Sequence, residues 1–297
     1  MLPSVDIVIP VYNEEQFLDR CLDALTNLDY PQNLLRIIVV DNFSQDRTIE
    51  IASCYDDVTI KQVPKHSIAY SRNQGAREGT AEIIAFIDGD CVADRGWLKN
   101  GVANFLNPGI VATGSYPIVI ESEANSFQRA WARLCKKRRQ GTYEVDWLPT
   151  GNLMVKRSVF VSIGGFNEDL ITCEDADLGY RLAKPGSLID DPEVTVYHLR
   201  EPKNYSEFWK KEYWHSQSNV AGAFSHGVRL SELSSLIMPF LFLTGTSFLL
   251  PSIFFLSPVL LGGAIVLLLF PPLFYTFIKY RKCIFQGFCR FRRVFCG

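Results

Sequence analysis

The N-terminal third of the chain alternates between short, mostly apolar runs and longer segments whose apolar positions recur every three or four residues. Four runs have the length of buried strands: Val5–Val11, Leu35–Val40, Val58–Gln62 and Ile83–Ile87. Three intervening segments predict helices: Glu14–Leu28, Asp46–Tyr55 and Ile68–Gly79. This alternation predicts an α/β fold in which helices cover both faces of a mainly parallel sheet.

Polar side chains follow three of these strands. Asn13 comes after the first, Asp41 after the second, and Asp88 and Asp90 after the fourth. Ligands of parallel sheets bind beyond the carboxyl ends of strands. An Asp-x-Asp pair there favours Mg2+ or Mn2+, which can carry phosphate oxygens. Because neither a Gly-rich turn nor a P-loop is present, metal and side chains must meet the charge of a diphosphate.

A second acidic cluster follows the Gly164-Gly165 pair and ends at Glu174 and Asp175, just before a helix-like run. A carboxylate beside a metal site can act as a general base. Structural interpretations stay open at this stage. Asp41 could cap a turn, Asp88 and Asp90 could be turn residues, and Asp175 could stabilise a helix start.

The chain changes character near its C-terminus. Leu233–Ile278 is 46 residues without a charge, long enough for two membrane spans, and six Lys/Arg with no Asp/Glu follow it. The positive-inside rule predicts that the tail and the N-terminal domain are both cytoplasmic, in a multi-pass protein of the inner or plasma membrane. The alternatives are a buried helical hairpin and a re-entrant or interfacial hairpin.

Composition excludes other classes. The eight cysteines show no CxxC pair and no zinc spacing, which favours reduced thiols. An acidic body with a basic tail argues against nucleic-acid binding. Lys136–Arg139 is either a solvated face or a contact with anionic lipid or a lipid-linked phosphate. The aromatic and basic residues of 203–232 suit a membrane-interfacial segment, in which His215 and Gln217 either have a structural role or reach a diphosphate.

Four segments, in this order, resemble the family 2 inverting glycosyltransferases of the GT-A fold: VDIVIPVYNEEQFLDRCLDAL, VVDNFSQDRT, SRNQGAREGTAEIIAFIDGDC and TGNLMVKRSVFVSIGGFNEDLITCEDADLGYRL. The resemblance implies a GT-A catalytic domain at 1–202, with a Rossmann-like, mainly parallel mixed sheet. An interfacial linker at 203–232, two transmembrane helices at 233–278 and a basic cytoplasmic tail at 279–297 complete the expected order.

The same resemblance implies roles for individual residues. The nucleotide pocket would include Pro10, Tyr12, Glu14, Asp41, Arg72 and Asn73. Asp88 would contact the ribose or the sugar, and Gly151, Asn152 and Glu174 would also bind substrate. Asp90 and His198 would bind the metal, and Asp175 would be the catalytic base. From the residues alone, His198 could equally be structural and Arg72 an ordinary surface charge.

The implied activity is metal-dependent transfer of one sugar, with inversion, from a nucleotide-diphosphate sugar to a lipid-linked or glycan acceptor. Family precedent favours a UDP-sugar, together with membrane lipid and other glycan-assembly proteins as partners. The Gln-x-x-Arg-Trp motif of processive polymer synthases is absent, which favours a single transfer. The alternatives are a polyprenyl-phosphate glycosyltransferase resembling dolichyl-phosphate-sugar synthases, and a non-catalytic component of a polysaccharide export complex.

Overall fold

The chain divides into two units, Met1–His226 and Gly227–Gly297. The computed structural model describes residues 2–135, 141–216, 241, 243–249, 251, 259 and 261–269. Lys136–Arg139, Gln217 and the tail at 279–297 lie outside the described residues, as do most of 217–278 and the His215 side chain.

The first unit is built on a mixed sheet in the order β3-β2-β1-β4-β8-β6-β9-β7. Its strands are β1 Val5–Val11, β2 Leu35–Asp41, β3 Val58–Gln62, β4 Ile83–Ile87, β6 Ile110–Gly114, β7 Tyr143–Val145, β8 Asn152–Lys156 and β9 Ser187–Asp190. Strands β1 to β4 are mutually parallel, and β8 runs antiparallel between β4 and β6. A separate ribbon pairs β5 Cys91–Ala93 with β10 Val196–His198.

Helices cover both faces of this sheet. They are α1 Leu18–Thr26, α2 Thr48–Ala52, α3 Ile68–Glu78, α4 Trp97–Asn104, α5 Ser126–Cys135, α6 Arg157–Ser162, α7 Glu174–Leu182 and α8 Tyr205–Ser216. Alternate residues of β1 enter two separate cores, as strand geometry requires. Ile7 and Ile9 pack with α1 and α4 on one face, and Val8 packs with α3 and α7 on the other.

The predicted α/β architecture and the four N-terminal strands are confirmed, but two helices begin later than predicted. The backbone N–H of Glu14 donates to the Thr48 hydroxyl, and that of Glu15 donates to Asp46. The Asp46 carboxylate also accepts from the backbone of Thr48. Because these bonds tie the two loops together, α1 begins at Leu18 and α2 at Thr48.

Pro10 lies inside a central strand, where a missing N–H group usually disrupts pairing. The Val11 carbonyl accepts from Asn42 on the β2 side. The backbone N–H and C=O groups of successive strand residues point to opposite neighbouring strands. Since those of Val11 face β2, the Pro10 nitrogen faces β4. Pairing with β4 has already ended at Val8 and Phe86, so no ladder bond is lost. The proline therefore marks where β1 and β4 separate.

The second unit is described in two helical pieces, residues 243–249 and 261–269. A Cβ added at Gly245 would lie 3.0 Å from side-chain atoms of Leu267 and Leu268, so the two pieces are in close contact. Within the described residues, no helix has the length and apolar character needed to cross a membrane.

Candidate active site

The polar residues singled out from the sequence gather at the carboxyl edge of the parallel strands. Asp41 ends β2, opposite Val11 of β1, and Asp88 follows β4 on the other side of β1. The short ribbon adds His198, which pairs with Cys91 in the antiparallel register of β10 and β5. Residues from distant parts of the chain therefore converge at one edge of the sheet.

Three non-glycine residues near this edge adopt the left-handed conformation: Asn13, Phe43 and Cys173, with φ of 55°, 67° and 66°. Such backbone strain persists only where surrounding contacts hold it, and it often occurs at functional sites. The Asn13 side chain accepts from the Gln45 N–H at 2.8 Å, and the Asn13 N–H donates to Ser44 Oγ at 2.9 Å. These two bonds fasten the loop after β1 to the loop after β2.

Arg72 on α3 joins the two acidic clusters. One guanidinium nitrogen donates to Glu174 Oε1 at 2.7 Å and another to Asp88 Oδ1 at 2.8 Å. The Arg72 side chain is only 2% exposed, so the interpretation as a surface charge is wrong. A buried guanidinium needs such partners, because an uncompensated buried charge costs several kcal/mol, about 3–5 when one partner is removed.

Asp175 is the neighbour of Glu174 at the start of α7. Cys173, in its left-handed conformation, precedes the helix. Glu174 accepts a hydrogen bond from Arg72, and the Arg72 charge also acts on Asp175. Burial of the carboxyl group, with a further contribution from the Glu174 charge, raises the pKa of Asp175 to about 7. Asp175 therefore titrates in the range that suits a general base near neutral pH.

A candidate metal centre lies beside Asp88. One potential ligand atom from each of Asp90, Cys91 and His198 lies within 4.8 Å of the others. His198 Nε2 is 3.7 Å from Asp90 Oδ1, while its buried Nδ1 has no hydrogen-bond partner among the residues that the structure describes. Burial raises the pKa of the Cys91 thiol well above its usual value, and Mn2+ or Mg2+ prefers carboxylate oxygen to sulfur as a ligand. A carboxylate and an imidazole remain, which fit a divalent ion such as Mn2+.

Arg200 was not identified from the sequence, yet it joins two of the predicted site residues. Its guanidinium donates a hydrogen bond to Glu14, and its Nε is 3.6 Å from Asp90 Oδ2. Its guanidinium also lies over the Phe17 ring, 4.9 Å from the centroid. Burial, together with repulsion from Asp90, raises the pKa of Glu14 to about 8 although Arg200 opposes the shift. Arg200 thus brings a positive charge to the part of the site where a diphosphate is expected.

Comparison with known proteins identifies the family of this chain. The Glycosyl transferase family 2 profile matches residues 6–166. Glycosyltransferase AglE of Haloferax volcanii is 31% identical over 219 residues, which is 71% of this chain and 71% of that protein. The chain belongs to glycosyl transferase family 2. Glucosyl-dolichyl phosphate glucuronosyltransferase of the same organism is 29% identical over 176 residues, 55% of this chain and 56% of that protein.

Two solved structures share the GT-A-like fold with this family 2 member. The mannosyltransferase PcManGT of Pyrobaculum calidifontis, in complex with GDP-Man and Mn2+, superposes with a TM-score of 0.54 at 19% identity. The match covers 90% of this chain and 86% of that one. TarS 1-349 of S. aureus, in complex with UDP-GlcNAc, superposes with a TM-score of 0.55 at 16% identity. That match covers 75% of this chain and 69% of the TarS chain.

Some residues that the family resemblance assigned to substrate lie below the site surface instead. Asn73 is buried, donates to the Phe166 carbonyl and Glu168 Oε1, and accepts from the Phe166 N–H. Asn152 is also buried and bonds to Trp97 and to residues 115 and 194. Their side chains fix loops in this family 2 member, and the predicted contact of each residue with substrate stays a prediction.

The remaining predicted residues line the edge of the site. Tyr12 is 41% exposed, and Lys65 Nζ lies 5.1 Å from its ring centroid. The buried Asp41 carboxylate accepts from the Ser44 N–H at 3.1 Å, as the turn-capping interpretation predicts. A Cβ added at Gly151 would lie 2.7 Å from Asp88 Oδ2. Gly151 therefore leaves room for that carboxylate, and its predicted contact with substrate stays a prediction.

Proposed function

We propose that this family 2 glycosyltransferase transfers one sugar, with inversion, from a nucleotide-diphosphate sugar to a hydroxyl of a lipid-linked or glycan acceptor. The observation that carries the proposal is the buried bridge through Arg72. It links Asp88, at the end of the sheet where a donor is expected, to Glu174, which adjoins the base candidate Asp175. The proposed donor-binding and base-bearing segments are thereby joined by the two hydrogen bonds of Arg72.

On the donor side, Asp90 and His198 would hold a divalent ion, and Arg200 would face the diphosphate. A bound divalent ion offsets the negative charge that develops on the leaving diphosphate. The PcManGT complex contains GDP-Man and Mn2+ and the TarS complex contains UDP-GlcNAc, which supports a nucleotide-sugar donor. Because the nucleotides bound in these two complexes have different bases, UDP-sugars and GDP-sugars should both be tested as donors.

On the acceptor side, Asp175 would remove the proton from an acceptor hydroxyl while its oxygen attacks the anomeric carbon. The bond from that carbon to the diphosphate breaks in the same displacement, and the nucleoside diphosphate leaves with both bonding electrons. Attack opposite to the leaving group inverts the anomeric centre. Glucosyl-dolichyl phosphate glucuronosyltransferase is named for a sugar-bearing lipid, which supports a lipid-linked acceptor for its relative.

The metal assignment is tested by Mn2+ binding. We expect Asp90→Asn and His198→Gln each to weaken Mn2+ binding at least about 10-fold, because even indirect supporters of metal ligands have effects of that size. Calorimetric titration of Mn2+, with UDP and with GDP present, measures the change. Asp57→Asn removes an exposed carboxylate and serves as the control. Wild-type Mn2+ affinity in both site variants would exclude this pair as the metal site.

The base assignment is tested by Asp175→Asn, which keeps the shape and removes the proton acceptor. We expect turnover to fall about 100- to 10,000-fold, while donor affinity changes little. In the wild type, kcat/KM should fall as pH decreases through about 7, because Asp175 becomes protonated. Near-normal turnover by the variant would favour a polyprenyl-phosphate acceptor, which needs no base. Loss of donor binding together with turnover would make Asp175 a structural residue.

We also propose that the uncharged segment 233–278 associates with the cytoplasmic membrane and that both chain ends face the cytoplasm. The support is the 46-residue uncharged run and the basic residues that follow it. Reporter fusions at each end, combined with detergent extraction of membranes, test this arrangement. Reporters on opposite sides, or full extraction by salt alone, would contradict it.

A further inference from the structure

An aromatic pair that the catalytic scheme does not use lies near the reacting groups. Tyr116 follows β6, and Trp147 lies between β7 and β8. Their ring centroids are 5.8 Å apart in an edge-to-face arrangement of 74°. Tyr116 is 44% exposed and Trp147 is partly exposed, so the pair belongs to the surface of the first unit and not to its core.

Two short distances, one at Gly151 and one at Gly179, place this pair between Asp88 and the acidic residues at the start of α7. A Cβ at Gly151 would lie 2.7 Å from Asp88 Oδ2 and 3.8 Å from Pro117 Cγ, so Gly151 lies near both Asp88 and the segment that carries Tyr116. A Cβ at Gly179 would lie 2.3 Å from the Trp147 Cβ. Gly179 is four residues after Asp175 on α7, hence on the same side of the helix. The pair therefore spans the distance from Asp88 to the base helix.

The segment that carries Tyr116 is held firmly. Asn152 donates to Ser115 Oγ at 3.0 Å, and Ser115 Oγ donates to the Val194 carbonyl at 2.7 Å. Both bonds are buried, and Asn152 directly follows Gly151. The same buried asparagine thus fixes the residue before Tyr116 and the glycine that contacts Asp88. This rigidity suits a binding surface, because little conformational freedom is lost when a ligand binds.

We propose that Tyr116 and Trp147 form an acceptor subsite that binds a pyranose ring. The C–H groups of one sugar face carry a slight positive charge, and they pack against the electron-rich face of an aromatic ring. A ring bound there would lie beside Asp175, where one of its hydroxyls could reach the base. The inference rests on the proposed function and narrows its acceptor to a molecule that already carries a sugar.

Local charge also favours a neutral hydroxyl over a phosphate as the attacking group. Glu174 and Asp175 place two carboxyl groups at this point. Arg72, which contacts Glu174, is already shared with Asp88. A phosphate acceptor would be repelled by these carboxylates, because like charges at such distances repel. The Arg72 charge is already compensated by its two partners and would not offset this repulsion. A sugar hydroxyl carries no charge and avoids this repulsion.

Saturation-transfer NMR with methyl glycosides tests the subsite directly. The wild-type protein is first loaded with Mg2+ and UDP or GDP, and the panel includes glucosides, galactosides, mannosides, N-acetylglucosaminides and glucuronides. We expect at least one glycoside to bind. Tyr116→Ala should weaken that binding about 5- to 10-fold, whereas Trp147→Phe, which keeps an aromatic ring, should retain most of it. Farnesyl phosphate, which has no sugar, should not displace the glycoside.

Tyr143→Ala is the matched control, because Tyr143 is a similarly exposed tyrosine, at 38%, on strand β7. It should bind the glycoside as the wild type does. The proposal is overturned if no glycoside binds the wild type or if Tyr116→Ala binds it with normal affinity. It is also overturned if the control loses as much glycoside affinity as Tyr116→Ala does, or if farnesyl phosphate displaces the glycoside. Donor turnover is measured separately. Glycoside binding without donor turnover would contradict the proposed function while supporting a sugar site at this pair.

Discussion

The structure of the site depends on the need to neutralise one buried positive charge. Arg72 is almost fully removed from solvent, and its guanidinium is stabilised by Asp88 after β4 and Glu174 at the start of α7. Removing either carboxylate would leave the buried guanidinium with only one of its two charged partners and would destabilise this arrangement. The three residues therefore fix the position of α7 relative to the sheet. Asp175, next to Glu174, is placed by the same constraint.

The bridge also sets the electrostatic environment of the proposed base. Because Asp88 takes up part of the Arg72 charge, Glu174 still acts on Asp175 as a nearby negative group. Burial and this repulsion together raise the pKa of Asp175 to about 7. A carboxyl group in this state is a stronger base than an exposed aspartate and is still partly ionised at neutral pH. The proposed donor end and the proposed acceptor end of the site are thus linked through one arginine.

The parallel half of the fold could be predicted because its strands are marked locally, by apolar runs that end in polar residues. Strand β8 could not, since its position between β4 and β6 depends on antiparallel pairing with distant segments. The site residues divide in the same way, into those that a local sequence motif marks and those that only the folded chain brings to the site. Asp88, Asp90 and Asp175 follow recognisable motifs, but Arg200 reaches Glu14 across 186 positions of the chain and has no local signal. A motif also does not show which way a polar side chain points. The resemblance therefore assigned Asn73 to substrate binding, whereas in the structure its side chain forms hydrogen bonds that fix a loop.

The most direct test of this account is the pH dependence of kcat/KM in Glu174→Gln. Glutamine keeps an oxygen that can accept from Arg72 but removes the negative charge beside Asp175. The account predicts that the acid limb, near pH 7 in the wild type, moves to lower pH while donor affinity stays unchanged. Asp169→Asn, which removes an exposed charge before the same helix, should leave the limb in place. An acid limb that stays near pH 7 or moves upward in Glu174→Gln would contradict the account.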